Sequence, residues 1–309
     1  MPKTVSFLIV GDGYPASRIT ALVNSMPAAR VIAVARADAA SESGVRTTNP
    51  DSEAVTTDFL VQEAGVEWVR RVAPDWLLCI NSTKILPPEL IDLFEQRALN
   101  AHPGLLPEYA GLHAHQWALR NGESEHGATV HRMKRRIDSG PIVAASRFPI
   151  RDDDTGLSLF RRTLAEAVNL LGSLLPRIVA GEALPSVPQD LSRRRVYRHR
   201  DALDGGMDWR SPARAIVNFV RAGNYEPFDS PTFVPTLTVP SGASIKVLQA
   251  KLIGPTTLPP GSVIGVQEQG PVIACGDGQA VIITRARHSL GILSYAEWRA
   301  HFASGFAAS

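Results

Sequence analysis

Three side chains of types that assist acyl transfer lie between residues 100 and 138. Asn100 and His102 are separated by one residue, and Asp138 follows in a turn-forming Asp-Ser-Gly-Pro segment. In acyl transfer to an amine, an amide can donate a hydrogen bond to the carbonyl oxygen, and an imidazole can move protons. A carboxylate can orient the imidazole and tune its affinity for protons. The three residues therefore form a candidate catalytic set for this chemistry.

The spacing of Asn100 and His102 predicts that they act on the same side of a strand. Side chains alternate with a period of two in an extended segment, so these two point to one face if residues 99–102 are extended. The pair alone is equally compatible with a structural role, and Asp138 alone is compatible with a turn aspartate that bonds its own backbone. The three residues together are a more specific pattern than any one of them.

Other motifs in the sequence carry weaker indications. Gly11-Asp12-Gly13 follows an apolar run, but Ala16 stands where a dinucleotide-binding fingerprint has its last glycine, so a structural tight turn is the favoured reading. Five histidines lie between residues 102 and 131, and the His113-x-His115 pair is weak support for a metal. We therefore expect no metal site.

Composition excludes several classes of protein. The two cysteines, Cys79 and Cys275, are far apart and suggest neither a disulfide framework nor a metal cluster, which favours the cytoplasm. The net charge of +2 gives no large basic excess for a nucleic-acid partner. No apolar run approaches the length of a transmembrane helix, so we expect no membrane partner.

The elements that must position the candidate residues follow a strand and helix alternation. Strands are predicted at residues 5–10, 31–35, 76–80 and 99–101, and helices at 19–24, 59–72 and 88–95. This order predicts an α/β fold with an open, mostly parallel, Rossmann-like sheet. Ligands bind such sheets beyond the carboxyl ends of the strands, which places a site after residues 80 and 101.

The second half of the chain predicts a smaller β domain. A long helix at residues 157–180 is followed by a Pro-rich and Arg-rich stretch, then a helix at 213–221 and short strands at 245–250, 261–266, 272–275 and 280–285. We predict a catalytic domain at residues 1–182, a linker at 183–206 and a small OB-like β-barrel domain at 207–309.

Residues from about 75 to 150 resemble the catalytic core of the formyltransferases that use 10-formyltetrahydrofolate. The matching segments are 77–87, 99–111, 127–133 and 137–142, and residues 221–228 are similar to the longer members that append a small barrel domain. The resemblance implies that Asn100, His102 and Asp138 are the catalytic residues. It also implies a pterin cleft between the loop 80–87 and the segment leading to Asp138.

The resemblance further suggests which residues contact the two substrates. The residues expected to contact the folate are Ile80, Asn81, Ser82, Ile85, Leu86, Pro87 and Gly140. The acceptor is expected to meet Tyr109, His113 and His115, whose rings offer hydrogen bonds and a flat surface. Tyr225 is expected to approach the same pocket from the second domain.

The sequence therefore predicts an N-formyltransferase that uses 10-formyltetrahydrofolate and a small-molecule amine acceptor. The acceptor classes considered are an amino-sugar nucleotide and a hydroxyornithine-type siderophore precursor. One alternative is methionyl-tRNA formyltransferase, for which the basic runs 132–136 and 193–195 could hold phosphates, although tRNA is the less favoured partner. Further alternatives are a formyltetrahydrofolate hydrolase and a binding protein that has lost activity. The sequence assigns no oligomeric state.

Overall fold

The computed structural model describes residues 4–37, 53–198, 201, 205–240, 242–289 and 291–303. The chain divides into two compact units. The first unit takes in residues up to 114, together with 126–148 and 161–196. The second unit takes in residues 115–125, 149–160 and those from 197 onward. The predicted domain limits at residues 182 and 207 stay predictions.

The first unit is built around a seven-stranded sheet. The strands of this half of the chain are β1 (Val5–Val10), β2 (Ala29–Arg36), β3 (Glu53–Thr56), β4 (Trp76–Ile80), β5 (Ala98–His102), β6 (Ala110–Gly111), β7 (Glu125–Arg132), β8 (Ile142–Pro149) and β9 (Val196–Tyr197). The sheet has the order β3-β2-β1-β4-β5-β7-β8. Strands β3, β2, β1, β4 and β5 pair in parallel, and β7 is antiparallel to β5. The predicted open, mostly parallel sheet is confirmed.

Alternating side chains of the central strands pack into two separate cores. Phe7 and Ile9 of β1 lie in one buried cluster, whereas Leu8 and Val10 lie in another on the opposite face. This arrangement explains why β1 and β4 read as continuous apolar runs, because both of their faces are covered. The helices along this half of the chain are α1 (Gly13–Asn24), α2 (Thr57–Leu60), α3 (Glu63–Val72), α4 (Pro88–Asp92), α5 (Ala114–Asn121) and α6 (Gly156–Val179).

The predicted helix at residues 59–72 was wrong as a single element. The structure has two helices there, since α2 ends at Leu60 and α3 begins at Glu63. The hydroxyl of Thr56 caps α2 by accepting a hydrogen bond from the Phe59 amide, which starts the helix earlier than apolar spacing indicates. The strands β7 and β8 were missed altogether, because a histidine-rich segment and a basic run obscured their alternation.

The second unit contains an antiparallel sheet. Its strands are β10 (Thr236–Thr238), β11 (Ser244–Pro255), β12 (Val263–Gln267), β13 (Gly270–Ala274), β14 (Gln279–His288) and β15 (Gly291–Ile292), and its helices include α7 (Ala213–Gly223) and α8 (Tyr295–His301). The order is β10-β11-β14-β13-β12, with β15 beside β14. The predicted small β domain after the parallel sheet is confirmed. No helix among the described residues is both long and apolar enough to cross a bilayer.

Gly11 is required by a close approach of two backbone segments. It follows β1 with a φ of 154°, and a Cβ at this position would lie 1.8 Å from the carbonyl oxygen of Ile80. Its amide donates to the carbonyl of Ala35 at 2.9 Å, which joins the turn to β2. The glycine therefore has a structural explanation that needs no bound nucleotide.

Gly11→Ala is expected to destabilise the protein by at least about 2 kcal/mol more than Gly181→Ala, because the Ile80 carbonyl would have to move. Gly181 is the matched control, since its φ is also positive at 73° but no heavy atom lies within 4 Å of the added Cβ. Chemical denaturation of both variants measures the difference. Equal losses of unfolding free energy would show that the close approach at Ile80 is unimportant.

Candidate active site

The three candidate catalytic residues lie together in the first unit. Asn100 and His102 are both on β5, as the extended spacing predicted. Asp138 lies in the turn between β7 and β8, and its carboxylate faces the His102 ring. The site thus combines the carboxyl end of a parallel strand with a turn of the neighbouring antiparallel segment, in agreement with the usual location of ligand sites in open α/β sheets.

His102 is buried, with 3% of its surface exposed, and acceptors flank its ring. The Nε2 atom donates to the carbonyl oxygen of Tyr109 at 2.7 Å, while Nδ1 lies 3.7 Å from Oδ2 of Asp138. A backbone carbonyl cannot donate, so a neutral His102 ring carries its proton on Nε2 and its lone pair on Nδ1. The nitrogen available for chemistry is therefore Nδ1, on the Asp138 side.

The loop that follows His102 is held close to the imidazole. A Cβ on Gly104 would lie 2.9 Å from His102 Nε2 and 2.8 Å from the Cβ of Ala114, so only glycine fits there. Thr129 of β7 braces the same loop, since its hydroxyl donates to the Gly104 carbonyl at 2.8 Å and accepts from the Leu106 amide at 3.2 Å. These contacts fix the ring orientation of His102.

Asp138 is an ionised carboxylate in a buried position. It is 7% exposed, and its Oδ2 accepts a hydrogen bond from the Gly111 amide at 2.9 Å. Burial by itself raises the pKa of a carboxyl group, but attraction to His102, a hydrogen bond and attraction from His131, and the Gly111 amide outweigh it. The pKa of Asp138 is held well below its ordinary value, so the side chain carries its charge at neutral pH.

The backbone at Asp138 adopts a left-handed conformation with a φ of 51°. For a residue other than glycine this conformation costs roughly 1–2 kcal/mol, although aspartate and asparagine tolerate it better than most. Two other predicted site residues share it, Asn81 at 54° and His113 at 55°. Such positions cluster at functional sites because the surrounding structure has to hold them in place.

His131 is part of the site and was missed as a functional residue by the sequence analysis. Its Nδ1 donates to the Arg132 carbonyl at 2.9 Å, and its Nε2 lies 3.1 Å from Asn100 Nδ2 and 3.4 Å from Asp138 Oδ1. In the neutral ring Nε2 accepts one N–H of the Asn100 amide, and the second N–H of that amide can point elsewhere. Only the doubly protonated ring donates from Nε2 to Asp138 Oδ1, which is the hydrogen bond that lowers the pKa of that carboxyl group. Recognition of β7 would have found it, because the strand register pairs His131 with Asn100.

The remaining histidines of the cluster have other surroundings. His126 is fully buried against the rings of Tyr109 and Phe148, and burial, followed by repulsion from His102, lowers its pKa to about 4. His115 belongs to the second unit. Within the described ranges, no group of three or more His, Cys, Asp or Glu side chains is placed to hold a metal ion.

The predicted folate loop follows β4 in the first unit. Ile80 and Leu86 are buried, whereas the side chain of Ile85 is 70% exposed and can meet a ligand. The Ser82 hydroxyl accepts from the Lys84 amide at 3.2 Å, and Pro87 precedes α4 as its N-cap residue. A Cβ on Gly140 would lie 1.8 Å from the Arg132 carbonyl oxygen, so the backbone of the Asp138 turn passes against β7. These folate contacts stay predictions.

An open cavity of about 660 Å³ lies in the first unit, away from the predicted folate loop. Its lining residues are Ile91 and Asp92 at the end of α4, Glu95 and Gln96 after it, and Met133 with the basic segment 134–136. A volume between about 300 and 1,000 Å³ is typical of sites for drug-sized ligands. This cavity falls within that range, but its lining includes none of the predicted folate residues and none of Asn100, His102 and Asp138.

The predicted acceptor residues fall in two groups. Tyr109 and His113 lie in the first unit, where Tyr109 is buried and contributes its backbone carbonyl to His102. His115 and Tyr225 lie in the second unit, 2% and 6% exposed, and are hydrogen-bonded to each other. Burial raises the pKa of the Tyr225 hydroxyl, so this phenol keeps its proton at neutral pH. Contact of these four residues with an acceptor stays a prediction.

Similar solved structures share this architecture. The N-formyltransferase from Helicobacter canadensis, in complex with folinic acid and dTDP-3-aminofucose, aligns at 18% identity and a TM-score of 0.66, over 91% of this chain and 99% of that one. The sugar 3N-formyl transferase WlaRD, in the presence of dTDP and 5-N-formyl-THF, aligns at 17% identity and a TM-score of 0.67, over 91% and 97%.

A third similar structure is longer than this chain. HypX from Aquifex aeolicus, in complex with tetrahydrofolic acid, aligns at 19% identity and a TM-score of 0.61, over 98% of this chain but 48% of HypX. At these identities the three alignments establish a common fold.

Protein-family comparison identifies the chain directly. Residues 17–175 match the formyl transferase family, and residues 201–299 match the C-terminal domain of formyl transferases. The resemblance and the enzyme class predicted from the sequence are thereby confirmed. Since the first match alone covers more than half of the 309 residues, the protein belongs to the formyl transferase family.

Proposed function

We propose that this protein transfers the formyl group of 10-formyltetrahydrofolate to the amine of a small metabolite, and that the metabolite is an amino-sugar nucleotide. The observation that carries the proposal is the buried His102 and Asp138 pair, in which Nδ1 of the imidazole faces an ionised carboxylate at 3.7 Å. A base held in this way suits removal of a proton from an amine during acyl transfer.

The folate donor is supported by the similar solved structures and by the predicted folate loop after β4. Two similar structures contain folinic acid or 5-N-formyl-THF, and HypX contains tetrahydrofolic acid. In this chain Ile85 of the predicted folate loop offers an exposed apolar side chain. 10-Formyltetrahydrofolate supplies an activated formyl amide, which reacts with an amine without a metal.

His102 moves the proton. The Tyr109 carbonyl keeps the neutral ring protonated on Nε2, so Nδ1 accepts the proton that the attacking amine loses. The imidazolium formed in this way is stabilised by the negative charge of Asp138. Nδ1 then returns the proton to the folate nitrogen that leaves, which balances the reaction as formamide and tetrahydrofolate.

Asn100 stabilises the developing oxyanion. One N–H of its amide is directed to Nε2 of His131, and the second is free to donate to the formyl oxygen as the amine adds. His131 holds the Asn100 amide in place because its own Nδ1 is tied to the Arg132 carbonyl. A pre-positioned donor of this kind lowers the barrier without reorganising during the reaction.

An amino-sugar nucleotide is favoured over the other acceptors. The Helicobacter relative binds dTDP-3-aminofucose, and WlaRD is a sugar 3N-formyl transferase crystallised with dTDP. These relatives share the fold of this chain at less than 20% identity, and a shared fold does not fix the substrate. The acceptor class is therefore inferred from similarity. A hydroxyornithine-type precursor is the other small acceptor to test.

Methionyl-tRNA is disfavoured because much of the basic surface is already paired. Arg132 is buried and donates to the carbonyls of Gln96 and Leu184, and Arg135 pairs with Asp92. In the second basic run, Arg193 pairs with Glu108 and Arg194 donates to the Ile137 carbonyl. Cations engaged in this way are less available to neutralise phosphates.

We expect the protein to release tetrahydrofolate only when a suitable amine acceptor is present. The protein is mixed with 10-formyltetrahydrofolate and, in separate reactions, dTDP-amino sugars, hydroxyornithine, initiator methionyl-tRNA or no acceptor. We expect N-formylated sugar nucleotide by mass spectrometry and little folate release without an acceptor. Equal release in the absence of any amine would identify a hydrolase instead.

Asn100→Ala, His102→Ala and Asp138→Ala are each expected to lower kcat by about a hundredfold or more, because each removes an oxyanion donor, the base or its counter-ion. Their double variants should lose less than the product of the single effects, since the residues act as one unit. His301→Ala and Asp153→Ala are controls of the same residue types outside the site. Near-normal turnover in any one of the three site variants removes that residue from the mechanism.

Binding of initiator methionyl-tRNA is expected to be weak, and its affinity should equal that of uncharged tRNA. Each phosphate contact contributes a slope of roughly 0.7–0.9 to the fall of log affinity with log salt. Titration of methionyl-tRNA at several salt concentrations, with uncharged tRNA as the control, measures that slope. Tight, selective binding of the initiator together with efficient formylation would replace the sugar nucleotide with tRNA as the acceptor.

A further inference from the structure

The turn that carries Asp138 is held from outside by a surface segment. We call residues 187–195 the strap, and all of them belong to the first unit, as does the turn at residues 137–141. The strap begins beside β8, where Val187 and Ile142 exchange two backbone hydrogen bonds of 2.7 and 2.9 Å. This pairing aligns the strap with the chain directly after the Asp138 turn.

Two side chains of the strap bond the backbone of that turn. The Gln189 amide donates from Nε2 to the Asp138 carbonyl at 3.1 Å and to the Gly140 carbonyl at 2.6 Å. Nη2 of Arg194 donates to the Ile137 carbonyl at 2.7 Å. Three carbonyls around the left-handed residue are thus satisfied by donors from the strap.

Burial along the strap singles out the same two residues. Between residues 185 and 195, only Gln189 and Arg194 have partly buried side chains, whereas the others, including the apolar Val187 and Leu191, are exposed. Partly buried polar side chains are informative, because a polar group that leaves water is unfavourable unless it finds hydrogen-bond partners. Here the inward side chains are polar and reach the Asp138 turn.

The strap also holds the loop on the other side of the carboxylate. Arg193 pairs with Glu108, and the carbonyl of Arg195 accepts a hydrogen bond from the Ala110 amide at 3.1 Å. Tyr109, whose carbonyl holds His102, and Gly111, whose amide bonds Asp138, lie in the same loop. One segment therefore contacts both supports of the His102 and Asp138 pair.

We propose that the strap is a positioning device for the catalytic pair, in which Gln189 and Arg194 fix the turn so that the Asp138 carboxylate faces Nδ1 of His102. This inference rests on the proposed catalytic role of that pair. Gln189 and Arg194 are positioning residues, because they contact the backbone of the turn and act through Asp138. A loss of alignment by about 1 Å at reacting groups can cost as much as a hundredfold in rate.

The test replaces Gln189 with methionine, which keeps the length of the side chain and removes both N–H donors. We expect kcat to fall about tenfold, with KM for the folate and the acceptor changed by less than about twofold, since the loss lies in alignment rather than binding. In an Asp138→Asn background, Gln189→Met should lower kcat by less than about threefold, because the positioned charge is already gone. Gln269→Met, at an exposed position of the β12–β13 turn, is the matched control.

Amide hydrogen exchange measures, independently of turnover, whether the strap holds the Asp138 turn in place. The Gly111 amide donates to the Asp138 carboxylate, so its exchange should accelerate at least about fivefold in Gln189→Met and stay unchanged in Gln269→Met. If Gln189→Met does not fold, Arg194→Met removes the third donor and is measured in the same way.

Unchanged kcat with unchanged Gly111 exchange would overturn the proposal. The proposal would also be overturned if Gln189→Met lowered kcat by the same factor in the Asp138→Asn background as in the wild-type protein. The effect of Gln189 would then not depend on the carboxylate. If the wild-type protein formylates no acceptor, the proposed function fails, and Gly111 exchange alone still decides whether the strap holds the turn.

Discussion

The site depends on one buried negative charge. An ionised carboxylate out of contact with water is strongly unfavourable unless charges or hydrogen bonds compensate it. At Asp138 the Gly111 amide donates one hydrogen bond, and the His102 and His131 rings attract the carboxylate in their protonated forms; each of the three groups comes from a different segment of the first unit. The left-handed turn, the loop after β5 and the end of β7 must all be in place before this charge is tolerated. The negative charge of Asp138 is therefore stable only when these segments hold their partner groups close to the carboxylate.

Backbone carbonyls decide which nitrogens of the two neutral imidazoles carry a proton. The Tyr109 carbonyl holds the proton of His102 on Nε2, and the Arg132 carbonyl holds the proton of His131 on Nδ1. As a result one imidazole presents a lone pair toward Asp138, and the other presents a lone pair toward the Asn100 amide. The two histidines thus present different ring nitrogens to their neighbours, because backbone carbonyls select a different tautomer for each ring.

Membership of a family and choice of substrate are separate properties of this chain. The family match spans both halves of the sequence, but the three similar solved structures described above are each less than 20% identical to it. The proposed catalytic residues lie in the first unit, whereas the four residues predicted to meet the acceptor are divided between the two units.

The sequence by itself determined the features that depend on short-range spacing. Asn100 and His102 on one strand, Asp138 in a turn and the alternation of strands with helices all follow from periods of two and 3.6 and from turn chemistry. The break between α2 and α3 escaped prediction because a single hydroxyl at Thr56 decides where that segment begins. Only the tertiary structure brought His131 to Asn100, 31 residues away, and Gln189 to Asp138, 51 residues away. Such contacts depend on strand register and on the path of a surface segment, which local spacing does not encode.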